Sequence, residues 1–325
     1  MRRGGRRMDA SRGMAQEAGS GIGRARSPGR VRLSSAELSC REAELARILR
    51  SCRLCPQACG ADREAGELGR CGIGPGARVA SFGPHFGEEG PLVGRYGSGT
   101  VFFSGCNLAC VFCQNFETSQ LREGIELGVR ELADVFLSLD RQGCHNLNLV
   151  TPTHQAPAIV AALAIAREEG CELPVVWNCG GYESVEVLEL LAGVVDIYMP
   201  DAKYGDDETA LLYSGAAGYA RNLGPVLREM HRQVGDLLIE RGIARQGLLV
   251  RHLILPGGMA GSESVLRMIA SALGTRTYVN VMDQYRPAYQ ALRYPKLARR
   301  PSPAEIAQAF SCARALGLVR GLDAC

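Results

Sequence analysis

The chain has 325 residues, 46% hydrophobic and 22% charged, enough for one large soluble domain or one large and one small. No run of 18 or more apolar residues occurs, so an ordinary membrane-spanning helix is excluded. The net charge of +3 is unevenly spread. Residues 1–32 hold nine Arg against Asp9 and Glu17, a local net of +7, which leaves the remainder near −4 and argues against a polyanion-binding body.

Residues 1–34 are rich in Gly, Ser and Arg and poor in apolar side chains, so they are expected to form a disordered tail. Two arginine pairs lie in it, but no apolar stretch follows to make an export signal, and a cytoplasmic location is expected. A nucleic-acid role for the tail is not expected. Residues 35–95 read as an N-terminal helix, with Ser35 as its N-cap, followed by a cysteine knuckle. From residue 96 to 325 short apolar runs alternate with longer amphipathic ones. Strands are predicted at 100–104, 146–151, 174–178, 195–199, 248–255 and 277–282, and helices around 129–141, 155–169, 183–193, 206–234, 262–273 and 303–316. Six strands, each followed by a helix, imply a parallel sheet with right-handed crossovers. A full eight-unit barrel takes about 250 residues. The expected fold is therefore α/β, a partial (β/α)6 TIM-like barrel with a small cysteine-rich extension.

Thirteen Cys is a high number for a chain without a secretion signal, and seven fall into two short-spaced groups, which points to metal rather than disulfides. The stronger group lies in GTVFFSGCNLACVFCQN, where an apolar strand runs into Ser104-Gly105 and then Cys106, Cys110 and Cys113. Three thiolates on a cubane leave one of its four irons open to an outside ligand. The same i, i+4, i+7 spacing would also suit one face of a packed helix, but the preceding strand and glycine and Asn107 favour a loop.

The CxxxCxxC spacing, with Phe112 before the last cysteine, resembles the radical SAM signature, and the resemblance places Phe112 among the residues that meet the cofactor. The phrases FFSGCNLACVFCQN, NLVTPTH, VVWNCGGYE, DIYMPDAKY, VRHLILPG and VNVMDQYRP are similar to those of the branch related to pyruvate formate-lyase activating enzyme. The resemblance covers nearly all of residues 50–320. It implies that Cys106, Cys110 and Cys113 hold a [4Fe–4S] cluster, that S-adenosylmethionine binds the open iron, and that one electron from a flavodoxin or ferredoxin cleaves it to methionine and a 5′-deoxyadenosyl radical. The radical then takes a hydrogen atom from a protein glycine, a peptide or another substrate.

Barrels of this kind place their sites at the C-terminal ends of the strands, where polar residues gather in this sequence. Thr153 is proposed to meet the cofactor's amino group, in place of the GGE-type motif usual in the family; turn formation explains it equally well. Asn178 is placed to reach a ribose hydroxyl. Asp201 and Lys203, two apart on an extended segment, share a side and resemble the Asp-x-Lys segment of the activating enzymes, where they either neutralise each other or clamp the two ends of a zwitterion. Arg251, in an apolar strand, is expected to face the lumen and bind a carboxylate, and His252 to point the other way. Met282 suits an apolar wall for adenine. Cys179 is either a hydrogen donor or a small packing residue.

Cys52, Cys55, Cys59 and Cys71 form CxxCxxxCx₁₁C. Four thiolates close together complete either a closed zinc site or a second [4Fe–4S] cluster, and spacing alone does not choose. These cysteines precede the radical SAM motif, whereas activating enzymes with extra clusters carry theirs after it. Two other classes compete: a non-catalytic iron–sulfur or zinc-binding protein, and an electron-transfer module. The second predicts two fully ligated clusters, which three cysteines do not supply.

Overall fold

The computed structural model describes residues 33–322, so the expected disordered tail lies outside the described residues apart from Leu33 and Ser34. In chain order the elements are α1 (Ser35–Arg47), β1 (Ala77–His85), α2 (Gly90–Val93), β2 (Ser98–Phe103), α3 (Phe116–Ser119), β3 (Ile125–Leu127), α4 (Val129–Arg141), β4 (Leu147–Val150) and α5 (Ala156–Glu168). They continue as β5 (Val175–Cys179), α6 (Val185–Leu190), β6 (Ile197–Pro200), α7 (Asp207–Ser214), α8 (Tyr219–Val234), β7 (Leu238–Glu240), β8 (Ile243–Leu253), α9 (Ser262–Leu273), β9 (Tyr278–Met282) and α10 (Pro303–Ala315).

The six expected strands are β2, β4, β5, β6, β8 and β9, and they pair in that order, every pair parallel. Each is buried on both faces, which explains apolar runs with little alternation. Strand β9 pairs only with β8, so among the described residues the six strands form an open arc rather than a closed barrel. The fold is α/β, as the strand–helix alternation implied.

Three strands were not foreseen. Strand β1 pairs antiparallel with β2, β3 with β1, and β7 with β8. The expected boundary at residue 96 falls between β1 and β2, so residues 35–95 contribute a strand to the sheet itself. Helix α1 packs on α5, which accounts for α5 burying nine of its thirteen residues. The N-cap of α1 is Ser34 rather than Ser35, in a capping box with Glu37. The helix expected over 206–234 is two helices. Gly215 and Gly218 both take left-handed φ, at 61° and 69°, and turn the chain between α7 and α8.

Side chains on the concave face of the arc form layers. Val176, Ile197, Met199, Leu249 and Tyr278 pack with Leu92 from α2, which closes the lumen from below. Asn148, Asn178, Arg251 and Asn280 project from the same strand face by alternation with these residues. An apolar floor thus lies beneath a polar layer.

Candidate active site

The segment carrying Cys106, Cys110 and Cys113 is a pinned loop, not a helix. It leaves β2 through Ser104, whose carbonyl meets His154 Nε2 at 2.8 Å and accepts Gln155 Nε2 at 2.7 Å. Gly105 follows at φ 78°. A Cβ there would come within 2.6 Å of Ile73 Cγ1 and 2.8 Å of the Cys71 carbonyl, so only glycine fits. Ala109 N–H donates to Ser214 O (2.8 Å) and Val111 N–H to Tyr213 O (2.9 Å), which ties the loop to the end of α7. Asn107, 3% exposed, donates to the Tyr182 carbonyl at 2.6 Å.

Each cysteine sulfur has a polar neighbour. Leu108 N–H donates to Cys106 Sγ at 3.3 Å, Ser214 Oγ donates to Cys110 Sγ at 3.0 Å, and Cys113 Sγ lies 3.1 Å from Ser119 Oγ. Burial, reinforced by the neighbouring Cys110, pushes the Cys106 thiol up. Burial raises Cys110 to about 11, with Lys203 opposing. Both must lose their protons to ligate a metal. Phe112 is buried, edge-on to Tyr285 at 5.9 Å and Tyr204 at 6.5 Å, so it fixes the loop from behind.

The strand-end residues fall into two groups. In the first, Lys203 Nζ donates to Asp201 Oδ2 at 2.6 Å, Arg251 Nε to Asp201 Oδ1 at 2.8 Å, and Arg251 Nη2 to Asn178 Oδ1 at 2.6 Å. Burial disfavours the Asp201 carboxylate, but Arg251 and Lys203 overcome this and hold it below its ordinary range. Arg251 stands near the C-terminal end of β8. In the second, Thr153 Oγ1 donates to Glu183 Oε1 at 2.7 Å, and Cys179 is a further partner of that carboxylate. Burial lifts Glu183 to about 7, with the Thr153 and Cys179 hydrogen bonds opposing. Met282 ends β9 half-buried on the lumen side. His252 faces away: Nδ1 meets Ala202 O at 2.7 Å and Nε2 meets Ser262 Oγ at 2.8 Å.

Several residues here were missed by sequence reasoning. Glu183 closes the GGYE phrase and carried no spacing signal of its own. Ser214 reaches the cluster loop only through the α7–α8 turn. Glu88 and Glu89 lie between β1 and β2, yet their side chains are 9% and 6% exposed and come within 3.7 and 3.9 Å of Arg251 Nη1.

The second cysteine group sits directly beside the first. Gly69 brings Cys71 Sγ and Cys59 Sγ to within 3.2 and 3.7 Å of where its Cβ would stand. Fully buried Arg63 donates to the Gly74 carbonyl and reaches Cys52 Sγ at 3.7 Å. Burial raises Cys55 to about 12. Burial works to raise Cys59, but hydrogen bonds from the Ala61 and Arg70 peptide groups, from Cys52 and from its own backbone together bring that thiol down. Among the described residues no three His, Cys, Asp or Glu side chains converge on one ion position. A cubane differs in spreading its thiolates over separate irons.

A family model described as the Radical SAM superfamily matches residues 100–268. An uncharacterised protein of Methanocaldococcus jannaschii is 33% identical over 281 residues, which cover 83% of this chain and 76% of that one. Two solved structures follow a similar path. SuiB of Streptococcus suis, bound to precursor peptide SuiA, has 12% identity and a TM-score of 0.45 over 64% of this chain and 43% of its own. The FeFe-hydrogenase maturase HydG of Carboxydothermus hydrogenoformans has 13% identity and 0.43 over 66% and 49%. The chain spans less than half the length of either.

Proposed function

The chain belongs to the radical SAM superfamily, and from that premise we propose that it cleaves S-adenosylmethionine reductively and abstracts a hydrogen atom from a protein glycine or another substrate, as the pyruvate formate-lyase activating enzymes it resembles do. The observation that carries this reading is the loop after β2, which presents three cysteines at the same end of the sheet as Asn178, Asp201, Lys203 and Arg251. Three thiols suit a [4Fe–4S] cluster with one iron left for an outside ligand, so the donor set fits the group. Such a cluster, when bound with S-adenosylmethionine, supplies a 5′-deoxyadenosyl radical.

The chain's own residues hold, orient and shield. Cys106, Cys110 and Cys113 are the cluster ligands in this reading. Leu108 N–H and Ser214 Oγ point at two of the sulfurs and tune them by hydrogen bonding. Lys203, braced by Asp201, offers a cationic contact to a carboxylate at the strand ends, while Arg251, expected to bind a carboxylate, meets the chain's own Asp201 and fixes it beside Asn178. Thr153, with Glu183 behind it, offers an acceptor for an ammonium, Asn178 an amide for a ribose, and Met282 an apolar wall. Phe112 keeps the loop closed against water from behind. A low-potential protein of the flavodoxin or ferredoxin type is the proposed electron donor. Cys52, Cys55, Cys59 and Cys71 are proposed as a second metal site, either zinc or another [4Fe–4S] cluster, whose adjacency to Gly105 couples it to the first.

The test is anaerobic reconstitution with iron and sulfide, reduction, and assay of 5′-deoxyadenosine, beside a Cys106/Cys110/Cys113→Ala triple variant. Deoxyadenosine from the wild type alone supports the reading. A loaded cluster that yields none under strong reductant removes it. Iron and zinc analysis of the same triple variant reports on the N-terminal cysteines separately.

A further inference from the structure

The polar layer of the lumen contains more carboxylate than the protein neutralises. Asp201 is met by both cations of the layer, through Lys203 Nζ and Arg251 Nε. Arg251 spends Nη2 on Asn178. That leaves its Nη1 to be shared between Glu88 Oε2 at 3.7 Å and Glu89 Oε1 at 3.9 Å, both beyond hydrogen-bond length. Glu89 Oε1 also accepts from Asn280 Nδ2 at 3.1 Å. Glu89 Oε2 is buried and, among the described residues, accepts nothing; nor does Asn148 Oδ1, on a fully buried side chain whose amide serves Glu88. Asp201, Glu88 and Glu89 therefore face Lys203 and Arg251, with the His85 ring, edge-on to Phe102, also beside Glu88; burial pushes the Glu88 carboxyl up against the pull of Arg251, and two buried acceptor atoms stay unmet.

A buried carboxylate lacking a partner is costly. The chain nevertheless delivers two adjacent ones into the lumen, on a segment that Leu92 anchors in the apolar floor and Asn146 Nδ2 ties through the Leu92 carbonyl at 2.9 Å. The missing complement is a group with positive charge and several N–H donors. Phe102, Val150 and Met282, on the same strand faces as the polar layer, stay partly exposed although they are apolar. They would line an aliphatic stem.

We propose that Glu88 and Glu89 receive the protonated primary amine of the substrate, so that the hydrogen donor is an alkylammonium compound or side chain bound with its charged end at the floor of the lumen. This rests on the radical reading for the word substrate, but the binding site stands on the unmet acceptors. Glu89 Oε2 and Asn148 Oδ1 take two of the ammonium's three hydrogens, and the charge balances the layer. The competing account is that one glutamate is simply protonated, in which case no cation is needed.

The two accounts separate in a binding experiment on the cluster-loaded, unreduced protein with n-pentylammonium, and with 1-hexanol, one methylene longer, as a neutral comparison. Pentylammonium should raise the melting temperature of the wild type, whereas hexanol should not. Calorimetry should show at least tenfold weaker binding to Glu89→Gln and to Glu88→Gln/Glu89→Gln. The Gln variants should themselves melt higher than wild type without ligand, since they lose uncompensated charge, which also shows that they fold. No shift in the wild type, an equal shift with hexanol, or equal affinity in the variants overturns the assignment. Abolition of the shift by saturating S-adenosylmethionine would assign the dyad to the cofactor's own ammonium and overturn it too. Because the binding arm needs no turnover, absence of deoxyadenosine would sink the radical reading while leaving this result to stand or fall alone.

Discussion

Gln57, in the N-terminal cysteine segment, donates its side-chain amide to the carbonyl of Asn107 at 2.9 Å, one residue beyond the first cysteine of the cluster loop. The same Nε2 reaches the Gly215 carbonyl at 3.0 Å, so one side chain spans both halves of the loop's support. Each bond is worth about 1 kcal/mol net, and more when its loss strands a buried carbonyl. Gln57→Ala should therefore cost about 1–3 kcal/mol in urea unfolding and speed the loss of iron from the reconstituted protein. Unchanged stability and iron retention would mean that the two cysteine segments are independent.

Gly105 makes a sharper test of the same junction. Its φ of 78° disfavours any side chain, and a Cβ would press on the Cys71 carbonyl, a backbone atom with little freedom to retreat. Gly105→Ala should lower stability by about 2–4 kcal/mol and reduce iron per chain at the first cluster. A control at Gly76, which has open space around it, should lose far less. Equal behaviour of the two alanine variants would contradict the close approach of residues 71–73 to the cluster loop.

Buried Glu183, lifted to about 7, gives a pH signature with a definite sign. Between its ordinary value near 4.5 and 7 the folded state holds a proton that the unfolded state has released, so stability falls as pH rises through this window. The span corresponds to about 3 kcal/mol. His154 and His252, both depressed by burial to about 4, act oppositely and lose stability as pH falls from about 6.5. Wild-type data alone would mix the two. Glu183→Gln isolates the carboxyl: in metal-free protein it should match wild type at pH 4.5 and exceed it at pH 8 by up to about 3 kcal/mol. A difference independent of pH would show that Glu183 titrates normally.

The elements legible in the sequence are those specified locally. Strands such as PVVWN and VDIYM are buried on both faces, so each reads as an unbroken apolar run. Strand β1 does not read as an apolar run because its burial pattern is irregular, with only two of its nine residues buried. Strands β3 and β7 have only three residues each. The α7–α8 break was hidden because Gly215 and Gly218 sit within otherwise helical composition. Within the site, Asp201, Lys203 and Arg251 were legible, since charge in or next to an apolar strand demands a partner. Glu88, Glu89, Glu183 and Ser214 were not. Their importance comes from contacts with residues 30 to more than 160 positions away, and nothing in their local spacing encodes that distance.

Arg251 tests whether the lumen charges act as one unit. Replacing it by Met keeps the bulk but takes the guanidinium away from Glu88 and Glu89 and leaves Asp201 with Lys203 alone. Removing one member of a buried charge group costs about 3–5 kcal/mol, largely because of the charges left behind. If so, Glu88→Gln should rescue Arg251→Met. The double variant should be more stable than the sum of single effects by at least about 1 kcal/mol, a coupling measured by a double-mutant cycle in urea. Arg251→Lys should recover only part of the loss, because a single ammonium cannot reproduce the fork that holds Asp201 and Asn178 together. Additive effects of Arg251→Met and Glu88→Gln would show that the glutamates are balanced by something other than Arg251.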